Sequence, residues 1–222
     1  MGKLRLSIWL RKRVSHLLYS DDMMHNNNQE KIMNTVEPIR NLRVIQAIKN
    51  SLKGEERWRD LALFVCGLNF ALRVSDLLRL KVSDVRDSDG GIRESFALRE
   101  RKTNKEKTVA INRGAREALE AYFKRVHMEQ DDPLFKNPHT GRALHRTQVY
   151  RLLNEWCWSA GLRNVRIGTH SLRKSFGYAA FKRGVPIELL QKKFGHSSAA
   201  TTLCYVGITG DDIRKLEEEI IL

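Results

Sequence analysis

Arg73, Lys102, His170, Arg173, His196 and Tyr205 stand in short strings whose residue types suit chemistry at a phosphodiester. The strings are Gly67-Leu68-Asn69-Phe70-Ala71-Leu72-Arg73-Val74-Ser75-Asp76, Arg101-Lys102-Thr103-Asn104-Lys105, His170-Ser171-Leu172-Arg173, Phe194-Gly195-His196-Ser197-Ser198 and, nine positions after His196, Tyr205. A phosphodiester under attack gathers charge on its non-bridging oxygens, and guanidinium groups match those oxygens with paired, charge-assisted donors. A tyrosine attacks poorly near neutral pH because its phenol titrates near pH ~10, so it needs a proton acceptor, and histidine is the natural one. His170 and Arg173 are three residues apart, and on a helix they share a face.

Blander readings apply to each residue alone. Arg73 could be a surface arginine after a buried helix, and His170 and His196 could be core histidines. With Cys204 those histidines could suggest a metal site, but no short ligand spacing such as HxxxH joins them. Tyr19, Tyr122, Tyr150 and Tyr178 read as ordinary packed tyrosines, and Tyr205 alone has the His196 spacing. His16, His25, His127, His139 and His145 fall outside any motif and read as solvated or locally bonded. Asp76 reads as structural, positioning Arg73 or capping the next turn. There is no GxxxxGK[ST] loop, no GxGxxG after a strand and no HExxH pair, so chemistry on nucleic acid here would have to run without a bound nucleotide.

Taken in order, the strings resemble the tyrosine recombinase (phage integrase) family, which includes lambda integrase and the Xer recombinases. The resemblance runs from Thr35 to Leu222, and its specificity lies in the combination. It implies that Arg73 and Arg173 clamp the scissile phosphate, that Lys102 is the hairpin lysine, that His170 and His196 are the active-site histidines and that Tyr205 is the nucleophile. If each well-placed donor contributes about 3 to 4 kcal/mol, the two arginines together supply roughly 6 to 8 kcal/mol. His170 is the favoured acceptor for the Tyr205 proton, and His196 a further donor to a non-bridging oxygen. Lys102 would protonate the departing 5′-oxygen, with Lys105 as a nearby phosphate contact. A covalent 3′-phosphotyrosine keeps the bond energy for rejoining, so no ATP is needed.

The elements that must position these residues are mainly helical, with one small antiparallel sheet. Pro38 suits a first helical turn, and Ile39, Leu42, Ile45 and Ile48 recur at helical spacing. A more buried helix runs through Leu61, Phe64, Val65 and Leu68. Ile92, Phe96, Leu98, Val109 and Ile111 alternate with polar residues about Thr103-Asn104-Lys105, which reads as a β-hairpin with a basic tip. Helical periodicity returns at Leu119, Tyr122, Phe123 and Val126. A helix capped by Thr147 and ended by Gly161 follows, and the intervening Asp131 to Arg142 is loop. Further helices start near Thr169, Pro186 and Ser198, and an acidic amphipathic segment runs from Asp211 to Leu222.

Forty Lys and Arg against 26 Asp and Glu give a formal charge of +14 along 222 residues, which points to a polyanionic partner such as DNA. Arg142, Arg146, Arg151, Lys174, Lys182, Lys192 and Lys193 are candidate phosphate contacts. Cys66, Cys157 and Cys204 have no CxxC spacing and argue against a disulfide framework or zinc site, which fits a reducing, cytoplasmic setting. Met1 to Asn34 combines a basic amphipathic stretch with a polar linker, and its charges interrupt any apolar run short of the ~20 residues of a membrane span. The catalytic domain is expected over residues 35–222.

The 34 residues before Thr35 are too few and too polar for the separate core-binding domain of most family members. A truncated chain or a short standalone member is therefore expected, with weak, salt-sensitive binding to double-stranded DNA and little sequence preference. The hairpin has Arg101 and Thr103 where the family lysine often has glycine neighbours. Ile213, Leu216, Ile220 and Ile221 could pack on a neighbouring protomer in a homo-oligomer on DNA, or fold back on their own domain. Neither a membrane nor a small-molecule substrate is expected. Two other functions stay open, a type IB topoisomerase and a non-catalytic DNA-binding module; the small size and compact strings disfavour the first. The competent residues at all six positions disfavour the second.

Overall fold

The computed structural model describes residues 36–208 and 210–220. The readings made for Met1 to Asn34 lie outside the described residues, as do the side chains of Ile213, Leu216 and Ile221. Two compact units divide the described chain, one of Glu37–Phe176 and one of the residues from Gly177 onward.

The first unit is built on α1 (Leu42–Gly54), α2 (Trp58–Phe70), α3 (Val74–Leu77), α4 (Val82–Val85), β1 (Ser95–Arg99), β2 (Glu106–Ala110), α5 (Arg113–Phe123) and α6 (Arg146–Ser159). The helix α7 (Ser171–Lys182) supplies residues to both units, and α8 (Ile187–Phe194), α9 (Ala199–Val206) and α10 (Gly210–Glu219) belong to the second. The mainly helical architecture with one two-stranded antiparallel sheet is the one expected.

The core of the first unit centres on α2, whose Ala62, Leu63, Phe64, Cys66 and Phe70 are all fully buried. Phe64 meets Trp156 of α6 edge-on at 5.8 Å, and Phe70 meets Phe96 of β1 at 5.1 Å. The two contacts tie the middle and the end of α2 to their surroundings by apolar area and by favourable ring geometry. Phe96 pairs across the hairpin with Val109, and both are buried, so the alternating pattern puts one face of the sheet on the core.

Some boundaries differ from the sequence reading. Pro38 and Ile39 lie before α1, not in its first turn: the Ile39 amide donates to Ser175 Oγ and the Glu37 amide to the Arg166 carbonyl. Asn41, whose side chain accepts from the Arg43 amide, is the N-cap instead, and Leu42 is left 64% exposed while Ile48 and Leu52 are buried. α6 is capped by His145 rather than Thr147, because His145 and Gln148 close a reciprocal capping box. α8 and α9 begin just after Pro186 and Ser198, as expected, and the Ser198 side chain accepts from the Thr201 amide.

Candidate active site

Arg73 and Arg173 lie 100 residues apart in sequence, and the end of α2 brings them into one neighbourhood of the first unit. α2 stops at Phe70 because Ala71 adopts a left-handed conformation (φ 54°), which turns the chain and delivers Arg73 as the N-cap of α3. That conformation costs a non-glycine residue about 1 to 3 kcal/mol. Its carbonyl is stabilised by a 2.7 Å hydrogen bond from Arg173 Nη1, a side chain only 2% exposed. Arg173 therefore does two things at once: it holds the turn that aims Arg73, and it sits three residues after His170 at the start of α7.

Close helix approach is required for this arrangement. A Cβ on Gly67 of α2 would overlap the side chain of Leu172, the immediate neighbour of Arg173. Glycine in the Gly67-Leu68 string is thus a packing necessity that lets α7 come against α2.

His170 lies below the ordinary histidine range. Partial burial is the largest cause, followed by the positive charges of Arg173, Arg73, Lys174 and Arg146. Burial and the four cations together keep the imidazole in its neutral form, the form with a lone pair open to a proton. Arg146 opens α6, and Lys174 is only 6% exposed, so Lys174 is a buried member of the cluster and not part of a solvated face.

The hairpin is anchored to this cluster by two carboxylates. Asp76 is buried, and its Oδ1 accepts from the Arg101 amide at 3.0 Å. It therefore fixes the base of the hairpin turn, a role different from the Arg73 positioning or local capping read from sequence. Glu100, unremarked in sequence, faces Arg73 Nη1 at 3.0 Å, accepts from Thr103 Oγ1 at 2.7 Å and lies 3.7 Å from Lys107 Nζ. The Arg73 contact has ion-pair distance without hydrogen-bond alignment. Burial alone would raise the Glu100 carboxyl, but Thr103, Arg73 and Lys107 hold it below the ordinary carboxylate range. Lys102 and Lys105 are exposed at the turn, where Asn104 (φ 55°) takes the left-handed position without a glycine.

His196 and Tyr205 belong to the second unit. Gly195 (φ 66°) ends α8 and leads into His196, whose Nδ1 lies 3.1 Å from Thr202 Oγ1, a hydroxyl that in turn donates to the Ser198 carbonyl. This chain orients the ring from α9, the helix that carries Tyr205. The His196 and Tyr205 rings meet edge-on with centroids 4.8 Å apart, and Phe194 backs both at 5.5 and 5.3 Å. A Cβ on Gly177 would lie 2.6 Å from Val206 Cγ1 and 2.9 Å from the Phe194 ring, so α7 packs closely on this aromatic group. Cys66, Cys157 and Cys204 are all free thiols. Among the described residues, no group of three or more His, Cys, Asp or Glu side chains could hold a metal ion, and no helix is long and apolar enough to cross a membrane.

Residues 25–210 match the model of the phage integrase family. The chain belongs to that family, whose members here fall in the class of tyrosine site-specific recombinases. It is 38% identical over 182 residues to the "Probable integrase/recombinase YoeC" of Bacillus subtilis, covering 82% of this chain and 95% of that one. It is 28% identical to the "Tyrosine recombinase XerD" of Halalkalibacterium halodurans, covering 77% of this chain and 57% of that longer protein. In three dimensions it is similar to the XerH site-specific recombinase bound to palindromic difH substrate, with a TM-score of 0.63 and 20% identity over 82% of this chain and 53% of that one.

Proposed function

We propose that residues 35–222 act as the catalytic domain of a site-specific recombinase that cuts and rejoins double-stranded DNA through a covalent 3′-phosphotyrosine on Tyr205. The observation that carries this reading is the Arg73, His170 and Arg173 cluster, in which a buried arginine fixes the turn that presents a second one beside a neutral histidine.

In the proposed reaction Arg73 and Arg173 hold the non-bridging oxygens of the phosphate, and His196 adds a donor there. His170 takes the phenolic proton as the Tyr205 oxygen bonds to phosphorus and the bond to the 5′-oxygen breaks. Lys102, on the hairpin anchored by Asp76, donates a proton to that 5′-oxygen. A 5′-hydroxyl from another strand reverses these steps and restores Tyr205, so neither metal nor nucleotide enters the balance. The basic charge of +14 supports DNA as partner, and exchange between duplexes implies a homo-oligomer on DNA in the cytoplasm.

Incubation with nicked suicide substrates at low salt, in EDTA and without ATP, tests the reading on denaturing gels. A covalent protein–DNA adduct that vanishes with Tyr205→Phe is the expected result. No adduct on any substrate would point to a binding module.

A further inference from the structure

We propose that Glu100 is a positioning residue that pairs with Arg73 in the DNA-free protein, yields that guanidinium to the scissile phosphate and moves its own carboxylate onto Lys107. The inference deepens the recombinase reading and rests on it for the identity of the phosphate.

Three features of the first unit carry it. Arg73 Nη1 is buried against Glu100 Oε2 at 3.0 Å, an ion pair that falls short of full hydrogen-bond alignment and so is open to replacement by a better-aligned anion. The other oxygen, Glu100 Oε1, is buried with no hydrogen bond, and Lys107 Nζ stands only 3.7 Å away. A buried acceptor left unbonded is costly, and a small rotation of the carboxylate toward Lys107 relieves it. Finally, Glu100 Oε2 also accepts from Thr103 Oγ1 at 2.7 Å, and Thr103 adjoins Lys102.

These contacts link two events. A phosphate reaching Arg73 brings a second negative charge beside Glu100, and the like charges repel until one leaves. Glu100 turning to Lys107 removes the repulsion and loosens its hold on Thr103, freeing the turn that carries Lys102. The phosphate clamp and the proton donor are thereby engaged by the same exchange, and an unoccupied site keeps both latched.

The test measures anion affinity separately from catalysis. Inorganic sulfate is titrated while the Arg73 Nε–Hε resonance is followed by NMR, and duplex binding is followed by fluorescence anisotropy in a Tyr205→Phe background. Glu100→Gln is expected to tighten both by about tenfold, because Arg73 no longer gives up a counterion. The gain should disappear when Arg73→Gln is added. Lys107→Met should shift affinity the other way, weakening both anions severalfold, and it carries the test by itself if Glu100→Gln fails to fold by circular dichroism. Unchanged or weaker binding in a folded Glu100→Gln protein, a gain that survives Arg73→Gln, or no loss in Lys107→Met would each overturn the exchange. Failure of wild-type adduct formation alongside an Arg73-dependent gain in sulfate affinity would instead leave the exchange standing and remove the recombinase reading.

Discussion

Arg173 donates from Nη1 to the carbonyl of Ala71 at 2.7 Å, across 102 residues of sequence, and so one phosphate-binding candidate holds the backbone that aims the other. Arg173→Ala should therefore fail twice. It leaves the Ala71 carbonyl buried without its donor, costing roughly 1 to 3 kcal/mol of stability, and it lets Arg73 drift. Urea denaturation should show the loss, and adduct formation should drop by more than about a thousandfold, beyond the roughly hundred- to thousandfold that one missing phosphate donor explains. Arg173→Lys should keep the charge but recover little, because an ammonium lacks the planar fork.

Gly67→Ala puts a methyl group into Leu172. The overlap should cost about 1 to 3 kcal/mol as α2 and α7 are pushed apart, read as a lower urea midpoint at unchanged slope. DNA cleavage at a temperature where the variant stays folded should also slow, since Leu172 precedes Arg173.

The pH dependence follows from His170. Its pKa is lowered, by burial first and then by Arg173, Arg73, Lys174 and Arg146, so the neutral form persists below the ordinary value near ~6.5. In the unfolded chain the ring protonates first as pH falls. The contribution to stability is thus complete above that value and is lost as pH drops toward the folded-state pKa. Adduct formation should hold through mildly acidic pH and fall only when folded His170 protonates. Arg146→Gln removes one cation and should move both the NMR titration of His170 and the acidic limb of the rate profile to higher pH.

Thr202→Val removes the hydroxyl beside His196 Nδ1 without changing side-chain shape. Duplex affinity should stay near that of the wild type, while the cleavage rate should fall roughly tenfold as the imidazole loses its fixed tautomer and orientation. An equal loss of affinity and rate would place Thr202 in binding and not in orientation of His196.

Much of this arrangement was legible in the chain. The alternation of Phe96 and Leu98 with Val109 and Ile111 marks a hairpin because the side-chain period of a half-buried strand is two, and Ser198 announces α9 through its capping chemistry. His170 and Arg173 were readable as a pair from spacing alone. The supporting contacts were not. Glu100 looks like any charged strand residue until the fold brings β1 beside Arg73, and nothing local marks Asp76 as the acceptor for the amide of Arg101, 25 residues further on. Ala71 gives no hint of its left-handed turn, since the stabilising donor comes from α7. Pro38 misled because a residue suited to a helix start is equally suited to the extended segment that Ser175 and Arg166 hold. Long-range partners of charged and strained groups are what short-range spacing cannot encode.

The identity of the residue bonded to DNA tests the central claim most directly. A trapped adduct, digested with nuclease and protease and sequenced by tandem mass spectrometry, should carry a nucleotide 3′-phosphate on the Tyr205 oxygen. A nucleotide on any other side chain, or linkage through a 5′-phosphate, would contradict the mechanism.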